Sequence, residues 1–320
     1  MFNSGIMWLR QEIDSRRRNR LRRQVLLKAV EEVVEIADPI IRLAHRYRRT
    51  LLPAVETAMG YCHHIVNSIP GPVLLRRKTY DDDPVVKALF LSPENMETIL
   101  QQARTNAAPG EGKELFALLT MMTTEKTVYG HKQQGEMILR DVPMQAVTFV
   151  DHRIVAQAPD LQATLSQLEQ RSLELLAGVA MEKIASLRLN LAELRERRER
   201  LGSMHRILCG KRQTFELLAQ PDPENATKIY ELKALLSETE KDIESARKDI
   251  ETPGDTLEHL KRIMASPADT LVYREQSLRL NWMNIITKDG EEGESYQLNL
   301  AELSLSEELK RSVVLVRFDR

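Results

Sequence analysis

Residues 184–208 read "IASLRLNLAELRERRERLGSMHRIL", with Ile184, Leu187, Leu191, Leu194, Arg198, Leu201, His205 and Leu208 separated by alternating steps of four and three. Only an α-helix brings such positions onto one face, and the heptad spacing predicts a long helix packed along a narrow seam. The seam runs on to Phe215, while Leu161, Leu165 and Leu168 upstream sit in a shifted phase, so a stutter is expected near 172–180. Downstream, "AQPDPEN" breaks the helix; Asp222 is the expected cap and Pro223 the first residue of a second helix. In that helix Ile229, Leu232, Leu236, Thr239, Ile243, Ala246 and Ile250 keep the same spacing. A short connection between two heptad helices gives, most simply, an antiparallel hairpin. Its expected coiled-coil contacts are Ile184, Leu187, Leu191, Leu194, Leu201, Leu208, Ile229, Leu232, Leu236, Ile243 and Ile250, with Leu208 near Ile229 and Leu194 near Ile243 or Ala246.

The period changes on both sides of this hairpin. "TVYGHKQQGEMILRDVPMQAVTFVDHRIVA", residues 127–156, alternates every two residues and is rich in β-branched side chains, predicting three or four short strands with "HKQQG" as a hairpin loop. Near the end, Leu278, Leu280, Trp282 and Ile286 alternate, "KDGEEGES" turns, and "YQLNLAELSL" and "SVVLVRF" read as further strands. A two-stranded ribbon alone is barely stable, so the two β segments are expected to pool into one head. Toward the N-terminus, Val30, Val33, Ala37, Ile40, Ala44, Tyr47, Leu51, Val55, Ala58, Cys62, Ile65 and Ile69 form a helical stripe. A restart is expected at Asp38-Pro39 and a kink or an end at Pro53. Residues 84–122 read as two short helices, the first opened by Ser92-Pro93 and the second comprising "KELFALLTMMT".

The resulting plan is an α-rich α+β chain with long helices, an antiparallel coiled-coil hairpin, and a small mixed or antiparallel β head formed by two separated segments. Its expected divisions are an N-terminal helical region over 1–72, short helices over 73–125, the first half of the head over 126–157, the hairpin over 158–252 and the second half of the head over 253–320. Composition agrees: 29% of the 320 residues are charged and only 5% are aromatic, a bias of long helices rather than compact β or α/β enzymes. Two cysteines, Cys62 and Cys209, both in apolar helical patterns, imply buried thiols and a reducing compartment. No secretory signal pattern opens the chain and no apolar run approaches a bilayer span, so a cytoplasmic location is expected, with a peripheral membrane position as the variant.

A head split by a coiled coil outwardly resembles the SMC-type ATPases, which gives "AAPGEGKE" (107–114) its interest. A phosphate loop needs a strand before it, a helix after it, and a hydroxyl for magnesium behind the lysine. Ala107, Gly112 and Lys113 fall at the right offsets, but Glu114 stands where the hydroxyl belongs and "NMETILQQAR" before the loop is helical. Asp151 could orient magnesium at a strand end, and "LSEELKRSVVLVRFD" lacks the two glycines of the signature those ATPases carry. A degenerate SMC-like ATPase is therefore the third functional reading. Cys62, His63 and His64 are adjacent and point in different directions on a helix, which does not make a metal site. Asp151 and His152, adjacent on a strand, face opposite sides and do not make a dyad. No catalytic residue, metal or cofactor is expected.

Residues 1–49 carry twelve Lys/Arg against six Asp/Glu, and Arg16, Arg17, Arg18, Arg20, Arg22 and Arg23 form a block. On a helix these surround much of the circumference, next to an apolar stripe of Phe2, Ile6, Leu9 and Ile13. The plain reading is a solubilising helix end; the others are an anionic membrane surface or nucleic acid. The leading expectation is a structural or interaction protein, a scaffold or adaptor, that meets a protein partner or itself through helical surfaces. The alternative is a peripheral membrane- or nucleic-acid-associated factor using the Arg block. No small-molecule substrate is expected.

Overall fold

The computed structural model describes residues 21–106, 113–134, 137–216, 223–287, 294–306 and 309–320. In chain order they form helix α1 (21–37), a 3-10 helix (Pro39–Leu43), α2 (Tyr47–Ser68), strand β1 (Val73–Leu75), a second 3-10 turn (Arg77–Thr79), α3 (Pro84–Leu89) and α4 (Pro93–Asn106). There follow β2 (Glu114–Gln134), β3 (Met137–Ala158), α5 (Leu161–Glu216), α6 (Pro223–Ile250), α7 (Pro253–Ala265), α8 (Pro267–Thr270), β4 (Val272–Asn281), β5 (Ser295–Ser304) and β6 (Lys310–Asp319). The chain divides into two compact units, Met1–Thr57 with Glu174–Ala265, and Ala58–Leu173 with Ser266–Arg320. The phase shift expected near 172–180 falls at the boundary between them: Leu165 and Leu168 are buried residues of one unit, Ile184 and Leu191 of the other.

The first unit is helical throughout its described residues. Asp38 ends α1 and opens the 3-10 helix, its carboxylate accepting from the Ile40 amide at 3.0 Å, the cap that Asp-Pro predicts. The break moves the apolar phase by one residue. Ile40, expected in the stripe, is exposed and Ile41 is buried in its place, because three residues per turn replace 3.6 across Pro39. Pro53 neither ends nor restarts the helix; it lies inside α2, which continues to Ser68. Helix α7 opens with a reciprocal cap in which the Asp255 carboxylate accepts from the Thr252 amide at 2.8 Å and Thr252 Oγ1 from the Asp255 amide at 3.3 Å. It packs on the first 3-10 helix and on α6 through buried Leu257, Leu260 and Met264.

In the second unit the strands from both β segments join one sheet, in the order β3-β2-β6-β5-β4, antiparallel along that path. β1 adds a parallel pairing on β6, making the sheet mixed. "KELFALLTMMT" is the start of β2, not a helix. As the strand between β3 and β6, it sets Leu115, Ala117, Leu119 and Met121 into the core. Phe116, Leu118 and Met122 at the alternate positions are apolar as well, so the sequence carries no clean two-residue period to read. Likewise residues 127–156 are not three or four short strands. β2 continues to Gln134, through most of the "HKQQG" expected as a loop, and β3 starts at Met137.

Three bulges bend the β2–β3 pair. Two residues of β3 face one of β2 at Arg140-Asp141, Asp151-His152 and Ala156-Gln157, and Asp141, Asp151 and Ala156 all have φ between 51° and 57°. Bulges increase strand twist. The sheet curls until its ends meet: the Val147 amide donates to the Asn284 carbonyl at 2.9 Å and the Ile286 amide to the Gln145 carbonyl at 2.8 Å, just past β4. Inside lies the core, built on Leu115, Leu119, Phe149, Leu298, Val316 and Phe318, with Val86, Leu89, Met96 and Leu100 of α3 and α4.

Candidate functional site

The helical seam of the first unit is visible in its burial. Ile184, Leu191, Ile243 and Ile250 are buried and form one cluster with Leu187, Leu194 and Ala246. Nearer the connection, Leu201, His205, Leu208, Ile229, Leu232 and Leu236 are half-buried, whereas Arg198, expected on the seam, is exposed. Thr239 is buried and returns its hydroxyl to the Leu235 carbonyl at 2.8 Å. Off the seam, Met204, Ile207, Tyr230 and Leu235 are exposed, Tyr230 by 73%.

Of the arginine block, Arg16, Arg17, Arg18 and Arg20 lie outside the described residues. Arg22 pairs with Glu56 at 2.6 Å, and Arg23 is exposed beside exposed Leu21 and Val25. Most of "AAPGEGKE" also lies outside the described residues. Its neighbours run helix α4 before and strand β2 after, the reverse of a phosphate loop's order, and the Lys113 carbonyl accepts from the Arg320 amide.

Cys62 is buried, and desolvation, with a smaller contribution from Glu169, pushes its thiol up to about 12. His63 next to it is turned to Glu169 at 2.8 Å, and His64 is exposed. Cys209 is half-buried on α5, one turn from His205, its sulfur 3.6 Å from Nε2. The thiolate is the reactive form. At pH 8 the native protein is therefore expected to lose one thiol, Cys209, to an alkylating reagent, and Cys62 only after unfolding. Peptide mass mapping checks this; rapid labelling of Cys62 in the native state would contradict it. Among the described residues no three His, Cys, Asp or Glu side chains gather as metal ligands.

Asp151 and His152 sit at a bulge inside β3, not at a strand end. They face apart. The Asp151 carboxylate takes the guanidinium groups of Arg311 and Arg153, which hold its pKa down. His152 stacks on Phe90 at 4.9 Å and bonds the Leu89 carbonyl at 2.6 Å; burial lowers its pKa, so the neutral ring is favoured.

Trp282, expected on the inner face of a strand, is 81% exposed. β4 ends at Asn281, whose side-chain oxygen accepts from the Met283 and Ile285 amides at 2.9 and 3.0 Å. This local turn throws Trp282 outward. It stands where two depressions meet. One, of about 700 Å³, is lined by Asp81, Asp82, Pro84, Lys87, Glu294, Ser295 and Tyr296. The other, of about 430 Å³, includes Leu89, Phe90, Leu91, Phe149 and Met283, and shares Lys87 with the first. Leu91 is 72% exposed. Tyr296 donates to Asn284 at 2.8 Å, tying the turn to β5, and burial pushes its hydroxyl up to about 12. The only sequence signal for this surface is a tryptophan between two asparagine-bearing turn positions, "NWMN".

No protein-family model, curated protein or solved structure matches the chain.

Proposed function

We propose that the chain is a structural or interaction protein in which α5 and α6 form an antiparallel coiled-coil arm offered to a protein partner or to a second copy. The observation that carries this reading is the single cluster joining Ile184, Leu187, Leu191 and Leu194 of α5 to Ile243, Ala246 and Ile250 of α6. The connection follows Glu216 and precedes Pro223. Contacts between residues far from it on both helices are those of a hairpin folding back on itself. Met204, Ile207, Tyr230 and Leu235 lie nearer the connection and remain exposed. Exposed apolar side chains beside a half-buried seam are what a partner would cover in this reading. A cytoplasmic, non-enzymatic role belongs to the same reading, as does the expectation that no cofactor takes part; among the described residues no helix is long and apolar enough to cross a membrane.

The arm is tested by introducing Leu194→Cys and Ile243→Cys into a Cys62→Ala, Cys209→Ser background. Oxidation at low protein concentration is expected to link the pair within one chain. Exclusively intermolecular links would rule out the intramolecular hairpin. The role is tested by a photo-crosslinking residue at Tyr230, with one at exposed Glu258 as control, in cells at native expression. An adduct of discrete mass at Tyr230 alone, lost with Ile207→Glu, is the expected result; equal or absent adducts at both positions would contradict the proposal.

A further inference from the structure

We propose that the paired depressions at Trp282 are a docking groove for a peptide segment that places a cationic side chain next to an apolar one. The apolar half of the argument is exposure. Trp282, Leu91 and Met283 present large apolar side chains to solvent around one continuous surface, and such patches on otherwise well-packed units mark interaction sites. Trp282 is not a side chain left loose by a poor fold, because the Asn281 turn that ejects it is fastened twice by its own amides and again through Asn284. Asn284 takes a hydrogen bond from Tyr296 at 2.8 Å and gives one to the Ala88 carbonyl at 3.3 Å.

Charge selects the occupant. Among the described lining residues, Asp81, Asp82 and Glu294 rim the larger depression against one cation, Lys87, which lies 3.7 Å from Asp81. A guanidinium or ammonium group entering there meets carboxylates on the rim and the Trp282 indole, groups that favour a cation at a surface. The smaller depression offers the exposed side chains of Leu91 and Met283, seated over buried Leu89, Phe90 and Phe149, to a neighbouring apolar side chain. An anionic or purely polar segment gains neither contact. The volume suits a few side chains rather than a folded domain, so the occupant is a short segment of a partner, read by one cation and one apolar anchor.

The experiment is calorimetric titration of the full chain with a short, end-capped peptide of interleaved arginine and leucine, with two relatives carrying glutamate for arginine or serine for leucine, and with spermine. The arginine–leucine peptide is expected to bind, each relative at least tenfold more weakly, with affinity falling several-fold as salt rises. Trp282→Ala is expected to weaken binding at least tenfold, and Asp81→Asn, Asp82→Asn and Glu294→Gln together by a similar factor. Glu275→Gln, exposed near the start of β4 and paired with Ala301, at the other end of the strand from Trp282, should change nothing. Circular dichroism of each variant confirms that the fold is kept. The proposal is overturned if the wild type binds no peptide, if the glutamate peptide binds equally, or if Trp282→Ala leaves affinity unchanged. It is overturned as well if spermine and the serine peptide match the leading peptide, which would make the site a polyamine pocket.

Discussion

Gly71→Ala is expected to destabilise the protein by about 3 kcal/mol. Gly71 stands at φ 118°, where L side chains rarely go, and a Cβ built on it would lie 2.4 Å from the Leu315 carbonyl oxygen, a backbone atom that cannot swing aside. The geometry behind this is the crowded edge of β6. That edge takes β5 over Lys310–Val313 and β1 over Val316–Phe318, and between them the Leu315 amide donates to the Pro70 carbonyl at 2.9 Å. The segment entering β1 must therefore cross β6 at backbone contact distance. The strain of a non-glycine residue at such a φ is of order 1–3 kcal/mol and a steric overlap adds about as much again, part of it relieved by backbone shifts. Thermal unfolding should fall by roughly 6–12 °C. Gly60→Ala is the control: Gly60 is inside α2 with nothing within 4 Å of a Cβ, and alanine there should stabilise by roughly 0.5–1 kcal/mol. Equal effects at the two glycines would refute the crossing.

Arg188→Ala is expected to cost about 2–4 kcal/mol, more than Asp38→Asn. Asp38 is 6% exposed and ion-paired to Arg188, while the Arg188 side chain is 43% exposed. Removing the arginine strands a buried carboxylate with only its capping bond to Ile40. Breaking a fully buried pair in this way costs about 3–5 kcal/mol, lowered here because one partner touches water. Asp38→Asn keeps a capping oxygen and leaves an arginine that rehydrates, so roughly 1 kcal/mol is lost. The coupling is read from a double-mutant cycle by urea denaturation. If Arg188→Ala costs the same in the Asp38→Asn background as in the wild type, the two side chains do not interact energetically.

Much of this architecture is legible along the chain wherever a residue's neighbours in sequence decide its environment. The 3-4 spacing of Ile184 to Leu208 and of Ile229 to Ile250 is a helix face whatever surrounds it. Asp38-Pro39, Ser92-Pro93 and Asp160 start their helices as written: Ser92 accepts from the Asn95 amide at 3.1 Å and Asp160 from the Ala163 amide at 2.7 Å. The alternation of Leu278 with Leu280, and of Leu298 with Leu300, marks strands with one face in the core. The same cannot be said of "KELFALLTMMT". A strand with apolar residues on both faces and a buried helix show much the same apolar run, and the partners that distinguish them, β3 and β6, lie about 30 to 40 and about 200 residues away.

The candidate surfaces divide the same way. The seam residues were readable because amphipathicity is a local pattern. The groove was not, because "NWMN" looks like the end of a strand until Asn281 turns the chain, and Asp81, Asp82 and Glu294 share a rim only because the fold brings together segments some 200 residues apart. The sequence by itself determined which segments are helices with one apolar face, where several of them start, and that two β segments needed each other. Tertiary structure alone decided that β2 is a strand, how far the bulged sheet curls, that Gly71 must stay a glycine, and that Trp282 faces solvent. Each of these depends on long-range backbone pairing, which no spacing within a short window records.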